Sequence, residues 1–202
     1  MSFSFDAAKG RRFACKLALV ALGANLPSLA GSPARTLRAA LAMMAARGLA
    51  LRAVSRFWRT PAHPAGSGPD YVNAAALVRA DARPDEVLAL LHAIEAHLGR
   101  TRDGGRWAAR GIDLDLIAMG DTVLPSAMVQ DRWRGLDPAA QARIAPEGLI
   151  LPHPRLQERG FVLLPLAEIA PGWVHPRAGK SVAAMLAALD PAGLRGMVPG
   201  AG

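Results

Sequence analysis

Residues 111–120, GIDLDLIAMG, read as a buried β-strand that two aspartates interrupt. Because side chains alternate along a strand, Asp113 and Asp115 share one face and the apolar residues around them share the other. Two carboxylates this close raise each other's pKa unless a cation or several donors lie between them. The pair is therefore expected to face either arginine side chains or a divalent metal, and Mg²⁺ suits carboxylates that leave positions open for phosphates.

The segments before this strand alternate between strand and helix patterns. The nearly continuous apolar run 16–24 predicts a central strand, and alternation over 49–60 and 70–80 predicts a hairpin. Residues 32–48 and 83–99 have helical spacing, a proline near the start and a glycine at the end, so both predict helices. The order β-α-β-β-α-β predicts a ferredoxin-like α/β sandwich, with helices on one face of a mostly antiparallel sheet.

Three regions lie outside this pattern. We expect residues 1–15 to be a flexible N-terminal extension and residues 121–148 to be an irregular insertion. A terminal amphipathic helix is predicted near 181–189. With 202 residues, of which 51% are hydrophobic, the chain can bury one core, so residues 1–202 are expected to form a single domain.

Composition limits the compartment and the partners. The N-terminus lacks the apolar core of a signal peptide, and no apolar run approaches the roughly 18 residues of a membrane span. We therefore expect a cytoplasmic protein with no membrane partner. The formal net charge of +8 favours a polyanionic partner, either nucleic acid or the phosphates of a nucleotide. An Ala- and Arg-rich composition is also what a GC-rich genome produces.

A cationic, glycine-containing loop leads directly into the aspartate strand. Arg100, Arg102, Arg106 and Arg110 fall within the stretch GRTRDGGRWAARGIDLD. Arginine presents planar donors that suit phosphate oxygens, and Mg²⁺ on the two carboxylates would neutralise the same oxygens from the other side. The loop is therefore a candidate phosphate site, the alternative being an ordinary solvated loop.

Two further positions stand out for their chemistry. Glu95 lies in the last turns of the second predicted helix, where a carboxylate opposes the helix dipole. This position indicates a ligand role, the alternative being a surface glutamate paired with Arg100. His153 lies between two prolines in LILPHPRLQERGF; we favour phosphate contacts for His153 and Arg159 and ring stacking for Phe161, although structural histidines are commoner than catalytic ones.

The stretch RTPAHPAGSGPDYVNAA combines a proline-rich loop with the start of a strand. Tyr71 and Asn73 are two residues apart and therefore share a face. An amide offers both a donor and an acceptor, which matches the edge of a pterin or a purine. The alternative is a rigid loop followed by an ordinary edge-strand asparagine.

Four blocks together resemble one enzyme family: ALGANL, SRFWRTPAHPAGSGPDYVNAA, IEAHLGRTRDGGRWAARGIDLDL and LPHPRLQERGFVLLPLAEIAP. Their order and spacing, over about residues 17–175, are similar to those of the 6-hydroxymethyl-7,8-dihydropterin pyrophosphokinases of folate biosynthesis. The resemblance implies a ferredoxin-like fold. It also implies transfer of a pyrophosphoryl group from MgATP to the hydroxymethyl oxygen of the pterin, with release of AMP.

The resemblance also assigns roles to residues. Asp113 and Asp115 match the family's ligands for two Mg²⁺ ions, and Arg100 and Arg110 match arginines associated with the phosphates and catalysis. The implied ATP contacts are His92, Glu95, Arg102, Trp107, His153 and Arg159. The implied pterin pocket consists of Thr60, Pro61, Tyr71, Asn73 and Phe161.

Departures from the family pattern leave two questions open. Ala108 and Ala109 stand where the family usually has Gly-Pro, which affects how the loop hinges. An arginine expected just before LILPH is missing, and Arg132 or Arg143 could replace it.

Two other functions fit part of the sequence. A different D-x-D phosphotransferase, such as a nucleotidyltransferase, would release pyrophosphate and leave AMP on its product. An RNA-binding module can share this topology and charge, but the chain lacks an aromatic block of the R-G-F-G-F-V type. We therefore expect ATP and the pterin as substrates, no nucleic-acid partner and a monomer.

Overall fold

The computed structural model describes residues 16–62, 68–100, 111–137, 140 and 143–200. In chain order its elements are β1 (Lys16–Ala24), α1 (Pro33–Ala46), β2 (Ala50–Val54), β3 (Trp58–Thr60), β4 (Tyr71–Ala80), α2 (Pro84–His97), β5 (Asp113–Met119), α3 (Ala127–Arg134), α4 (Gly160–Ile169), α5 (Val182–Ala187) and β6 (Val198–Pro199). Short 3₁₀ turns lie at Leu156–Glu158 and Pro191–Leu194. The strand predicted over 16–24, both early helices and the short helix near 181–189 are confirmed within a few residues.

The sheet has the order β5-β1-β4-β3-β6, and β2 also pairs with β4. The pairs are antiparallel. The first five strands and two helices give the predicted ferredoxin-like core, in which the apolar β1 lies between β5 and β4. The last strand, β6, extends the sheet beyond β3.

The single strand predicted over 49–60 is wrong, because the structure divides it at Ser55. The Ser55 hydroxyl accepts a hydrogen bond from the Ala75 amide at 2.9 Å, and the Ser55 amide donates to the Ala75 carbonyl at 2.9 Å. A side-chain oxygen thus replaces a backbone acceptor in the ladder. As a result, β2 and β3 pair with different parts of β4.

Helices cover both faces of the sheet, so the expectation of helices on one face is corrected. On one face α1 and α2 pack on alternate residues of the strands, including Leu22 and Leu114. On the other face α4 and α5 pack on the intervening residues, including Leu19 and Ile117. The cause is that β1 is apolar on both sides, which requires two covering layers. No helix in the described ranges is long and apolar enough to cross a membrane.

The stretch 121–148 is not irregular throughout, because it contains α3. Ser126 caps this helix by accepting a hydrogen bond from the Val129 amide at 3.3 Å. Asp131 on α3 accepts from the Arg177 guanidinium, with Nε to Oδ1 at 3.2 Å, and pairs with Arg134 at 3.0 Å. The helix is therefore tied to the chain between α4 and α5.

Candidate active site

A row of paired residues crosses the sheet and joins the two predicted halves of the site. Gly23 on β1 pairs with Asp113 on β5 and also with Asn73 on β4, which in turn pairs with Trp58 on β3. Paired residues of neighbouring strands point to the same face. Asp113 and Asn73 therefore lie on one face, the face on which α4 packs further along the strands.

The structure bears on both groups predicted to face the aspartate pair, arginine side chains and a divalent metal. The Arg100 Nη1 atom donates to Asp113 Oδ1 at 2.6 Å, and Arg159 Nη1 lies 3.6 Å from Asp115 Oδ2. The expected arginine pairing is thus observed. The two carboxylate side chains remain 33% and 38% exposed, so oxygens on one open face are still available to a cation.

The carboxylates of Asp113 and Asp115 fit a Mg²⁺ ion that is bound to a nucleotide. No group of three or more His, Cys, Asp or Glu side chains among the described residues forms a cage for a metal. Mg²⁺ usually takes one or two protein carboxylates and completes its octahedron with water and substrate phosphates. Asp113 and Asp115 supply that number of carboxylates.

Glu95 is buried, with 1% of its surface exposed, so the alternative of a surface glutamate is wrong. Its pairing with Arg100 is confirmed. Oε1 also accepts a hydrogen bond from the Leu114 amide at 2.7 Å, which joins α2 to the strand between the two aspartates. Burial raises the pKa of Glu95 to about 7, and the nearby Asp113 adds to the rise, against the lowering effects of the Leu114 amide and Arg100.

The raised pKa predicts how Glu95 affects stability. Because the folded chain holds this proton more tightly than the unfolded chain, the stabilisation is complete below about pH 4.5 and is lost as the pH rises through about 7. Glu95→Gln keeps the acceptor and removes the titration. Between pH 4.5 and 7.5 we expect wild type to lose about 1–3 kcal/mol more unfolding free energy than the variant.

Urea unfolding of both proteins at a series of pH values, in EDTA, measures this difference. Parallel pH profiles for the two proteins would contradict the assignment of a buried, titrating Glu95.

His153 and Arg159 lie beside the aspartates. At a β-bulge the register of β5 on β1 skips Ile117, and the Ile117 carbonyl accepts from the His153 amide at 2.8 Å. The His153 Nδ1 atom accepts from the Arg155 amide at 3.1 Å, so a neutral ring carries its proton on Nε2. Burial and the charge of Arg159 lower the pKa of His153 to about 3. Near neutral pH the ring is therefore a neutral donor.

Arg159 links the aspartate end of the site to Phe161. Its guanidinium carbon lies 5.7 Å from the centre of the Phe161 ring, a cation-π distance. Phe161 is 38% exposed at the start of α4, so its side chain is partly accessible from solvent. The predicted phosphate contact and the predicted stacking residue are therefore neighbours.

Four of the five predicted pterin residues lie on β3, on β4 or next to β3. The Asn73 Nδ2 atom donates to the Thr60 hydroxyl at 2.7 Å, and both side chains are buried. Tyr71 pairs with Thr60 across the two strands, and the exposed Pro61 follows directly. The structure thus brings these residues together at the end of the row that begins at Asp113.

Gly23 is a site residue that the sequence reasoning missed. A Cβ atom at this position would lie 2.8 Å from Asn73 Oδ1, so a side chain here would force the Asn73 amide to move. The glycine therefore makes room on β1 for the Asn73 carboxamide. The signal was a glycine inside the otherwise apolar strand KLALVALGA, a pattern that often marks the close approach of another group.

The remaining predicted residues divide into two groups. His92 lies on α2, three residues before Glu95, and is half-buried. Arg102, Trp107 and Arg110 lie outside the described residues.

This chain is similar to known proteins of one enzyme family. The family model described as 7,8-dihydro-6-hydroxymethylpterin-pyrophosphokinase (HPPK) matches residues 19–171. A Synechocystis 2-amino-4-hydroxy-6-hydroxymethyldihydropteridine pyrophosphokinase is 36% identical over 187 residues, covering 92% of this chain and 83% of the relative. The Methylorubrum extorquens protein of the same name is 35% identical over 178 residues, covering 88% of this chain and 96% of the relative.

Solved structures show the same fold at low identity. A Plasmodium falciparum HPPK-DHPS structure matches with a TM-score of 0.63 and 14% identity, over 88% of this chain. An HPPK-DHPS structure in complex with substrates matches with a TM-score of 0.62 and 13% identity, over 86% of this chain. The chain spans less than half the length of these solved chains, 45% and 43%.

Proposed function

Because the chain belongs to the 7,8-dihydro-6-hydroxymethylpterin-pyrophosphokinase family, we propose that its reaction takes place on the open sheet face between Asp113 and Asn73. The activity is that of an ATP-dependent diphosphotransferase, which transfers pyrophosphate to hydroxymethyldihydropterin in folate biosynthesis.

The row from Asp113 through Gly23 to Asn73 is the observation that carries this proposal. The row crosses two strand-to-strand spacings, so its two ends are about 10 Å apart. Carboxylates and arginines, which suit metal-bound phosphates, lie at one end. A buried amide, which suits a heterocycle edge, lies at the other end, and Gly23 between them makes room for that amide.

We assign the phosphate end to the following residues. Asp113 and Asp115 would hold two Mg²⁺ ions, which when bound would supply positive charge to the phosphate oxygens of ATP. Arg100 and Arg110 contact the phosphates and stabilise the charge that develops during transfer. The other ATP contacts are His92, Glu95, Arg102, Trp107, His153 and Arg159. His153 supports this role as a neutral donor, because its depressed pKa keeps it uncharged.

At the other end the protein binds and orients the pterin. Asn73, itself oriented by Thr60, reads the edge of the ring, while Tyr71, Pro61 and Phe161 contact its faces. The hydroxymethyl oxygen loses its proton to solvent and forms a bond to the β-phosphorus of ATP, the bond from that phosphorus to the oxygen bridging to the α-phosphorus breaks, and AMP leaves. Aligning these atoms is the main task of the protein, because the transfer needs little covalent chemistry from side chains.

Analysis of the products tests this function. ATP, Mg²⁺ and the hydroxymethyl pterin are incubated with the protein and the products are separated by chromatography. We expect AMP and a pterin diphosphate in equal amounts. Free pyrophosphate with an adenylylated product would instead identify a nucleotidyltransferase. Salt-sensitive RNA binding without pterin-dependent AMP formation would identify an RNA-binding module.

We also propose that residues 1–202 form one domain that acts as a monomer in the cytoplasm. The ion pair between Asp131 on α3 and Arg177 supports the single domain, because it links the 121–148 stretch to the C-terminal part of the chain. Sedimentation of the purified protein with and without ATP measures its oligomeric state.

A further inference from the structure

The C-terminal segment, residues 190–200, is held beside the strand that carries Thr60. Asp190 Oδ1 accepts from the Ala192 amide at 2.8 Å and caps the 3₁₀ turn at the start of the segment. Val198 then pairs with Arg59 on β3, and the Gly200 amide donates to the Phe57 carbonyl at 2.8 Å. The cap thus orders the start of the segment, and the added strand β6 attaches its end to the sheet.

From its 3₁₀ turn to β6 the segment contacts both sides of the proposed pterin pocket. A Cβ atom on Gly160 would lie 2.6 Å from Leu194 Cδ2 and 3.5 Å from Met197 Cε. A Cβ atom on Gly196 would lie 2.9 Å from Pro61 Cγ. A side chain at either glycine would force the contacting group to move.

These contact points adjoin residues assigned to the substrate. Gly160 lies between Arg159 and Phe161, and Pro61 follows Thr60. The segment thus spans from the start of α4, which carries the stacking ring, to the end of β3, which carries the residue that orients Asn73. It also lies beyond residues 19–171, the part of the chain that matches the family model.

We propose that the C-terminal segment forms a wall of the pterin pocket and that Leu194 is a positioning residue. By packing on Gly160, Leu194 fixes the start of α4 and hence the distance of the Phe161 ring from the amide of Asn73. The Met197 Cε atom also lies close to Gly160. This inference rests on the proposed function and extends it to a segment to which no role has been given.

Steady-state kinetics with each substrate varied in turn test the proposal. In Leu194→Ala we expect the KM for the pterin to rise about five- to tenfold, while the KM for ATP stays within about twofold of wild type. Leu194→Met, which refills the contact, is expected to restore most of the pterin KM.

Leu189→Ala is the matched control. Leu189 is a partly buried leucine a few residues earlier that packs on the α4 and α5 side of the core. Its loss removes the same atoms, so the two alanine variants should lose comparable thermal stability, but only Leu194→Ala should change the pterin KM.

Several results would overturn the proposal. They are an unchanged pterin KM in Leu194→Ala, an equal rise in Leu189→Ala, and an equal rise in the KM values for both substrates. If the alanine variant does not fold, Leu194→Val is measured in its place, and an unchanged pterin KM there has the same meaning. A wild type without pterin-dependent AMP formation would refute the proposed function instead, so the two failures are distinct.

Discussion

Replacing Asp113 or Asp115 with asparagine is expected to lower AMP release at saturating pterin by at least about a hundredfold. The two aspartates are the carboxylates that β5 places side by side on this face. Asparagine keeps the size of the side chain but loses the charge that holds a divalent cation on the phosphates. The missing interaction operates mainly in the transition state, so the loss appears in kcat.

Stability without metal should respond differently in the two variants. The sequence alone predicts a loss of stability for either substitution if the aspartates only pair with arginines, and a neutral or slightly stabilising effect if they form a metal site whose carboxylates repel each other without Mg²⁺. The structure changes this expectation, because Arg100 and Arg159 lie against them. We expect Asp113→Asn to lose up to about 1 kcal/mol through its contact with Arg100, and Asp115→Asn, with its longer ion pair, to change little.

Asp131→Asn is the control for both variants. Asp131, which lies on α3, likewise forms ion pairs with arginine side chains, those of Arg134 and Arg177. Its replacement should affect the thermal melt and leave AMP release close to wild type. Melting curves in EDTA beside the AMP assay measure the two effects separately. Activity within tenfold of wild type in both Asp113→Asn and Asp115→Asn would refute the metal assignment.

Asn73→Ala is expected to weaken pterin binding by about ten- to a hundredfold and to leave MgATP binding within about twofold of wild type. The amide is buried and oriented by Thr60, so its removal leaves polar groups of the bound ring without a partner inside the pocket. Loss of such a contact costs about 1–3 kcal/mol. Isothermal titration of each ligand in turn measures the two affinities.

Thr60→Val tests whether the orientation of the amide matters. Valine keeps the shape of threonine but cannot accept the hydrogen bond from Asn73 Nδ2. We expect a smaller loss of pterin affinity than in Asn73→Ala, again with MgATP binding preserved. Equal losses for both ligands in Asn73→Ala would show that the substitution disturbs the sheet rather than the pterin pocket.

The local patterns were sufficient to predict most elements of the core. The apolar run of β1, the proline and glycine at the ends of α1, and the alternation of β4 each depend on residues close together in the chain. Asp113 and Asp115 could be placed on one face for the same reason. Alternation and helical spacing are local properties, so they can be read without knowing what packs against the element.

What the sequence could not predict depends on contacts between distant residues. The interruption of the strand at Ser55 arises from its hydroxyl bonding to Ala75, twenty residues away. Glu95 is buried because it bridges to Leu114, which its place near a helix end does not indicate. The packing of α4 on the second face likewise follows from a neighbour, the two-sided apolar β1.

The row through Gly23 makes the span of the substrate cleft a property of the main chain. The separation between its ends is set by peptide hydrogen bonds across three strands, which side-chain replacements elsewhere in the sheet leave unchanged. Amino-acid divergence can therefore alter the lining of the cleft while its length stays constant. An insertion or deletion within β1 would change that length. It would shift the strand register, so that Asp113 and Asn73 no longer pair with the same residue of β1.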